Sequence, residues 1–219
     1  MSILKFNAVI MGGPGSGKGT ISSFIVKHFQ LKHISIGDML RNEIQDKTDA
    51  GNEAKKFIEK GKLVPDDLAI RLFSSQISSL IKSNSPSLLL DGFPRTVPQA
   101  KYLDEILPVS CVIKLDVPDD IIIERVKGRY IHLSSGRVYH TEFNPPKVAG
   151  IDDVTGEPLI QRDDDKPETI KARLDTYRKE TQLVLDYYSE KHLLHIFYGK
   201  ESKEIWPRVK NMLEQLFPK

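Results

Sequence analysis

Among 219 residues there is one cysteine, Cys111. A single thiol excludes an internal disulfide and any structural zinc site built from several cysteines. It suits a reducing compartment without proving one. No run of about 18 apolar residues occurs, so no transmembrane helix is expected. Met1 to Phe6 leads straight into an apolar, strand-like stretch. It lacks the apolar core and cleavage site of a signal peptide and the Arg- and Ser-rich leader of a cleaved transit peptide, so neither is expected, while an uncleaved organelle signal stays open. An excess of charge is missing too: 32 Lys plus Arg face 30 Asp plus Glu, a net +2. That removes the sequence-wide electrostatic case for nucleic acid or an anionic membrane as partner, but leaves room for a local arginine cluster around a small anion. With 39% hydrophobic and 28% charged residues, the chain fits one large globular domain, or one domain with insertions.

Strand-like and helix-like segments alternate. Five short apolar runs read as strands: Asn7 to Met11, His33 to Ile36, Ser87 to Leu90, Cys111 to Leu115 and Leu193 to Phe197. Helical patterns separate them, at Thr20 to Phe29, Ala54 to Glu59, Asp66 to Ile81, Val97 to Ile106, Asp119 to Lys127, Glu168 to Tyr188 and Lys203 to Leu216. Such alternation predicts an α/β parallel sheet covered by helices on both faces, with ligands beyond the carboxyl ends of the strands. Two stretches depart from it. Gly37 to Val64 is helical without a strand, and Arg129 to Arg162, with turn signals at Ser134-Ser135-Gly136, Asn144-Pro145-Pro146 and Thr155-Gly156, reads as a small antiparallel β insert.

Between the first strand and the first helix lies Gly12-Gly13-Pro14-Gly15-Ser16-Gly17-Lys18-Gly19-Thr20. Glycines let the main chain wrap phosphate oxygens, the helix N-terminus aims amides at them, and Lys18 adds a point charge. Strand, glycines, lysine and helix coincide as a P-loop requires, although Gly19 intervenes before the hydroxyl of Thr20. Asp91 ends the third strand run beside this cradle, a position suited to holding Mg²⁺, directly or through water, as well as to capping a turn. Arg41 and Arg95 follow the second and third strands, and both loops should open on the P-loop's edge of the sheet. Arg125 and Arg129 sit four apart on one helical face. Arg162 and Arg173 flank the start of the long helix near the C-terminus. None of the six histidines has a spacing that argues for general-base work.

GGPGSGKGT (12–20), GDMLR (37–41), GKLVPDD (61–67), LLLDGFPRTVPQA (88–100), GRYIHLSSGRVYHTEFNPPKV (128–148) and DDVTGEPLIQRDDDKPETIKARL (152–174) together resemble the adenylate kinase family of nucleoside monophosphate kinases over nearly the whole chain. The resemblance implies a P-loop NTPase-type five-stranded parallel sheet flanked by helices, with a helical NMP-binding insert and a small antiparallel β lid. It implies a core of residues 1–34, 65–128 and 163–219, an NMP-binding unit of 35–64 and a lid of 129–162. The donor triphosphate would meet Gly15, Ser16, Gly17, Lys18, Gly19, Thr20, Arg125, Arg129, Val138, Tyr139 and Lys200. AMP would meet Ile36, Arg41, Lys62, Leu63, Val64, Gly92, Phe93, Arg95 and Gln99. Arg162 and Arg173 would bridge the two nucleotides, and Lys18, Arg129, Arg162 and Arg173 would act on the transferred group, with Mg²⁺ held near Asp91 through water. Some relatives close the lid with four zinc-binding cysteines; the corresponding residues here are His132, Ser135, Asp152 and Thr155, which read as a hydrogen-bonded polar cluster, so no zinc is expected. Two departures stand out: Ile36 where the family has Thr or Ser, and Lys200 where the nearest branch has Thr.

That branch is the mitochondrial, GTP-using one, resembled most in residues 150–170 and at Ile205-Trp206-Pro207. It implies GTP as favoured donor, ATP being the alternative, and a matrix location, with the cytoplasm still open. The expected reaction is reversible γ-phosphoryl transfer to AMP by a monomer whose ligands are the nucleotides GTP or ATP, AMP and ADP. An acceptor phosphate already ionised needs no general base, so positioning and charge neutralisation carry the catalysis. Water must be kept out, a reason for two mobile flaps. Three rival readings fit the sequence less well. A GTPase switch finds Asp153-Val154-Thr155-Gly156 as its DxxG, but within the β insert and without an Asn-Lys-x-Asp base reader. A non-catalytic phosphate-binding module would not need Lys18, Asp91 and the arginines together. A dinucleotide oxidoreductase is disfavoured by Lys18 directly after the loop glycines.

Overall fold

A computed structural model describes residues 6–82 and 87–217. Readings that involve residues 1–5, 83–86 and 218–219, including most of the N-terminal segment, lie outside the described residues. The chain runs β1 (Asn7–Gly12), α1 (Lys18–Phe29), β2 (Lys32–Ser35), α2 (Ile36–Gln45), α3 (Asp49–Ile58), α4 (Asp66–Lys82), β3 (Leu88–Asp91), α5 (Val97–Ile106), β4 (Cys111–Asp116) and α6 (Asp119–Lys127). It continues with β5 (Arg129–Ile131), β6 (Val138–His140), α7 (Pro167–Thr176), α8 (Gln182–Glu190), β7 (Leu194–Tyr198) and α9 (Ser202–Leu216). One sheet holds β2-β3-β1-β4-β7, every pair parallel. The chain leaves β1 toward β2 and leaves β4 toward β7, so the direction reverses beside β1, and the P-loop emerges at that reversal.

Strand periodicity divides the core in two. Val9, Met11, Leu88, Leu90 and Val112 face one layer, with Phe73, Phe93, Leu103 and Tyr188. Ala8, Ile10, Leu89, Cys111, Ile113 and Leu115 face the other, with Ile21, Ile25, Ile205 and Val209. Phe73 stacks on Phe93 with ring centroids 4.2 Å apart, which fixes α4 to the loop after β3. Cys111 is fully buried and its thiol is pushed up to about 12 by desolvation, so it is a small core hydrophobe rather than a nucleophile.

Local chemistry moved several boundaries. The second strand ends at Ser35, not Ile36, because the Ser35 hydroxyl accepts the Asp38 amide at 3.2 Å and starts α2. The next helix begins at Asp49, five residues earlier than the periodicity predicts, since Thr48 caps the Gly51 amide at 3.0 Å. The single long helix expected over Glu168 to Tyr188 is interrupted by a π-helical turn at Tyr177–Thr181, an insertion that apolar spacing does not announce. The 129–162 stretch forms the β5–β6 ladder with further bridges at Ile131–Ile160 and Ile151–Pro158. Among the described residues no helix is long and apolar enough to cross a membrane.

Helices α2 and α3 cross at Gly51, where a Cβ would lie 2.0 Å from the Glu43 carbonyl oxygen. Gly51→Ala should therefore force the two helices apart and cost about 1–3 kcal/mol. Thermal denaturation checks it: an unchanged midpoint would mean that the crossing is not constrained there.

Candidate active site

The P-loop needs glycine for close packing as well as for backbone angles. Gly12 has φ 154°, and a Cβ there would meet Ser16 Oγ at 2.6 Å and the Leu115 carbonyl at 2.9 Å; Gly15 has φ 78°, and a Cβ would strike Val126 at 2.6 Å. The loop is thus wedged between β4 and α6. Lys18 Nζ folds over it and donates to the carbonyls of Gly12 at 2.8 Å and Gly13 at 2.9 Å. Desolvation, with repulsion from Arg95, Arg173 and Arg129, lowers the Lys18 ammonium to about 7, against the opposing pull of Asp91. Asp91 lies at the tip of β3 with His33 Nε2 3.6 Å away. Desolvation works to raise its carboxyl, but His33, Lys18 and Arg95 outweigh it and hold the group below the usual carboxylate range.

Around this point the loops after β2 and β3 and the segment before α7 converge. Arg95 is pinned by its Nε to the Gly92 carbonyl at 2.9 Å, and its amide donates to Gln99 Oε1 at 2.8 Å. Gln99 in turn donates to Asp66 at 2.7 Å. Arg41 pairs with Asp38. Arg129 clasps Asp165 through two nitrogens, Nε at 2.7 Å. Arg173 Nη1 reaches Asp164 Oδ2 at 2.7 Å and Asp165 at 3.3 Å. Arg162 keeps a buried Nε without a hydrogen bond. Its guanidinium is lowered to about 9, and that of Arg173 to about 10, by desolvation first and then by neighbouring arginines, with Asp164 and Asp165 opposing. Lys18, Arg41, Arg95, Arg129, Arg162 and Arg173 thus crowd one cleft, whose nearest carboxylates are Asp38, Asp91, Asp164 and Asp165. Such an arrangement is built for a polyanion.

Most residues singled out in the sequence meet here. Lys18, Ile36, Arg41, Lys62, Leu63, Val64, Gly92, Arg95, Gln99 and Arg173 line a single cavity. Phe93 does not: its ring is in the core against Phe73. On the other side of the P-loop, Arg125 Nη1 would be 3.6 Å from a Cβ on Gly17, and Arg125 Nη2 donates to the Lys200 carbonyl. Val138 Cγ2 lies 3.9 Å from a Cβ placed on Gly19, so β6 lies over Gly19; Thr20 beside it is exposed. Tyr139 turns the opposite way and is buried, its hydroxyl donating to Asp152 at 3.0 Å.

Within the 129–162 unit, His132, Ser135, Asp152 and Thr155 come together. His132 Nδ1 and Ser135 Oγ are 2.7 Å apart, and Thr155 Oγ1 donates to Asp152 at 2.9 Å. Arg137 adds a two-nitrogen grip on Asp152 at 2.8 and 2.6 Å. The Arg137 guanidinium, then the amide and hydroxyl of Thr155 and the Tyr139 hydroxyl, hold the Asp152 carboxyl far below its usual range despite desolvation. Hydrogen bonds fasten this turn pair.

The adenylate kinase family model matches residues 10–193. The chain belongs to the adenylate kinase family. It is similar to a mitochondrial GTP:AMP phosphotransferase of Drosophila melanogaster, 48% identical over 208 residues that cover 95% of each chain. A protein of the same name from Saccharomyces cerevisiae is 45% identical over 217 residues, covering 95% of this chain and 92% of the other. As an adenylate kinase family member it is an enzyme, a nucleoside monophosphate kinase.

Several residues of this adenylate kinase site escaped the sequence reading. Asp164 and Asp165 orient Arg129 and Arg173, Asp38 holds Arg41, and His33 flanks Asp91. The signal for the first pair was present: a run of aspartates directly after Arg162 in a segment rich in arginine. Phe143 was also missed. Its ring lies 5.6 Å from the Arg125 guanidinium and is 53% exposed, leaving a flat apolar face beside the P-loop.

Lys18 yields a pH prediction for this kinase. Its depressed value leaves it largely neutral above pH 7, and phosphates would raise it again, so triphosphate binding at pH 8 should take up a proton. Affinity should fall as pH rises through about 7. Calorimetry in buffers of different ionisation enthalpy measures the uptake; binding without it would show that Lys18 is already charged.

Proposed function

We propose that the protein transfers the γ-phosphoryl group of GTP reversibly to AMP, giving GDP and ADP, in the mitochondrial matrix and as a monomer. The observation that carries the reaction is one cleft with two anion-binding ends. Lys18 and the P-loop amides form one end, Arg41 and Arg95 the other, and Arg129, Arg162 and Arg173 lie between. Two phosphate chains placed end to end repel each other, and these fixed cations offset that repulsion where transfer occurs. The names of the two relatives support GTP and the mitochondrion.

In this reading residues 1–34, 65–128 and 163–219 are the core, 35–64 the NMP-binding unit and 129–162 the lid. The P-loop amides from Gly15 to Thr20 and Lys18 hold the donor's β- and γ-phosphates. Arg125, Phe143 and the Lys200 main chain face its base, with Val138 over the loop. The cavity of Ile36, Lys62 to Val64 and Gln99 receives AMP. Its phosphate draws Arg41 from Asp38, while Arg95 is already fixed by Gly92 and Gln99. The main chain at Gly92 and Phe93 closes that wall. The chemistry of Asp91 fits Mg²⁺: an ionised hard oxygen donor at the mouth of the loop, close enough to act through water. Mg²⁺, when bound, supplies charge neutralisation on the β- and γ-oxygens. Arg129, Arg162 and Arg173 stabilise the equatorial oxygens of the moving group, Arg129 and Arg173 being held in place by Asp165 and Asp164. No side chain removes a proton.

Lys18→Met should lower kcat by about 10²–10³-fold with little change in unfolding midpoint; near-normal turnover would remove Lys18 from the chemistry. Arg95→Ala should raise the KM for AMP by about tenfold or more, well above its effect on the triphosphate. An unchanged AMP response overturns that assignment. Initial rates with GTP, ATP and ITP at fixed AMP test the donor. Rates highest with ATP would make the enzyme an ATP:AMP phosphotransferase, and triphosphate hydrolysis indifferent to AMP would overturn the kinase reading.

A further inference from the structure

The turn that follows β6 is organised by one imidazole. The His140 amide closes the turn on the Asn144 carbonyl at 2.9 Å, while Asn144 Nδ2 ties back to the Val138 carbonyl at 2.9 Å. Inside the turn, His140 Nδ1 accepts the amides of Glu142 at 3.0 Å and Phe143 at 3.2 Å. The imidazole also packs on the Phe143 ring, centroids 4.5 Å apart. Its far edge lies against the end of α6. A Cβ on Gly128 would be 2.7 Å from Nε2 and Cε1, and Nε2 is sealed from solvent without a hydrogen bond. One ring therefore sits both against Gly128, at the end of the helix that carries Arg125, and on Phe143, which Arg125 overlies.

We propose that His140 is a positioning residue for the donor's base: it holds Phe143 against Arg125, so that ring and guanidinium together form one jaw of a clamp on that base. The inference rests on the reading above that a triphosphate fills the P-loop with its base toward Arg125. The protonation state is dictated by geometry. A nitrogen that accepts two amides must keep its lone pair, so the working ring is neutral, with its proton on Nε2. A proton added at Nδ1 would face two N–H donors and release the turn. The groups around the ring are Glu124 and Arg125 of α6 and Glu142 of the turn; Arg129, its partner across the β5–β6 ladder, is committed to Asp165. Burial, the largest influence, lowers the ring's pKa from its ordinary value and the Arg125 guanidinium adds to it, while the Arg125 main chain, Glu142 and Glu124 oppose the shift. The clamp is thus set at neutral pH and released on acidification.

Calorimetry with GTP and with inorganic tripolyphosphate, which fills the P-loop but has no base, tests this. His140→Ala should weaken GTP binding about fivefold and leave tripolyphosphate binding unchanged. His140→Asn, whose Oδ1 can accept the same amides without titrating, should bring GTP affinity back to within about twofold of wild type. In wild type the ratio of GTP to tripolyphosphate affinity should fall on acidification, and in His140→Asn it should not. Equal weakening of both ligands, or a ratio insensitive to pH in wild type, overturns the proposal. Phe143→Ala separates the two levels. If it weakens GTP binding while His140→Ala does not, His140 has no positioning role. If Phe143→Ala leaves GTP binding intact, the base does not lie there, and the inference falls with the reading beneath it. Should His140→Ala not fold, the Asn variant and the wild-type ratio still decide.

Discussion

Like charges held close together without enough counter-charge are the constraint on which this molecule turns. Lys18 and five arginines share a cleft whose carboxylates are too few to neutralise them. Left to itself such a group would spread into water; desolvation first, and then repulsion from neighbouring arginines, lowers Lys18, Arg162 and Arg173. What keeps the cations in place is anchorage. Lys18 is tied to two carbonyls of its own loop, Arg95 to Gly92 and Gln99, and Arg129 and Arg173 to Asp164 and Asp165. The scaffold supplies the energy of assembly, and a phosphate chain supplies the missing charge.

The two stretches that depart from the sheet are held by different means. The helical one relies on caps at Ser35 and Thr48 and on the close crossing at Gly51. The 129–162 unit buries little apolar surface and relies on a polar knot around Asp152, which accepts from Arg137, Tyr139, Val154 and Thr155. A small unit without a core of its own needs such cross-links. Both units lean on the cleft, so side chains from both reach the same charge cluster.

Helix α7 and the turn after it show how local irregularity serves the site. The π-helical residues Tyr177–Thr181 place Tyr177 and Thr181 on the wall of the cavity that Arg95 and Gln99 also line. A regular helix would rotate the residues that follow by about a quarter of a turn. The charged end of α7, with Arg173, and the apolar end of α8, with Val184, Leu185 and Tyr188 in the core, can then each face the partner that suits them.

From residues alone came the parallel sheet, the P-loop between β1 and α1, Asp91 at a strand tip and the arginines that follow the strands, because each rests on short-range rules: alternation, glycine geometry, a lysine at a helix start. Only the tertiary structure decided which carboxylate holds which arginine. It also turned Phe93 and Tyr139 inward, broke the long helix at Tyr177, and set His140 against Phe143 and Gly128. Those outcomes depend on contacts between segments far apart in the chain, and on the competition for burial and hydrogen bonds that only the folded packing resolves.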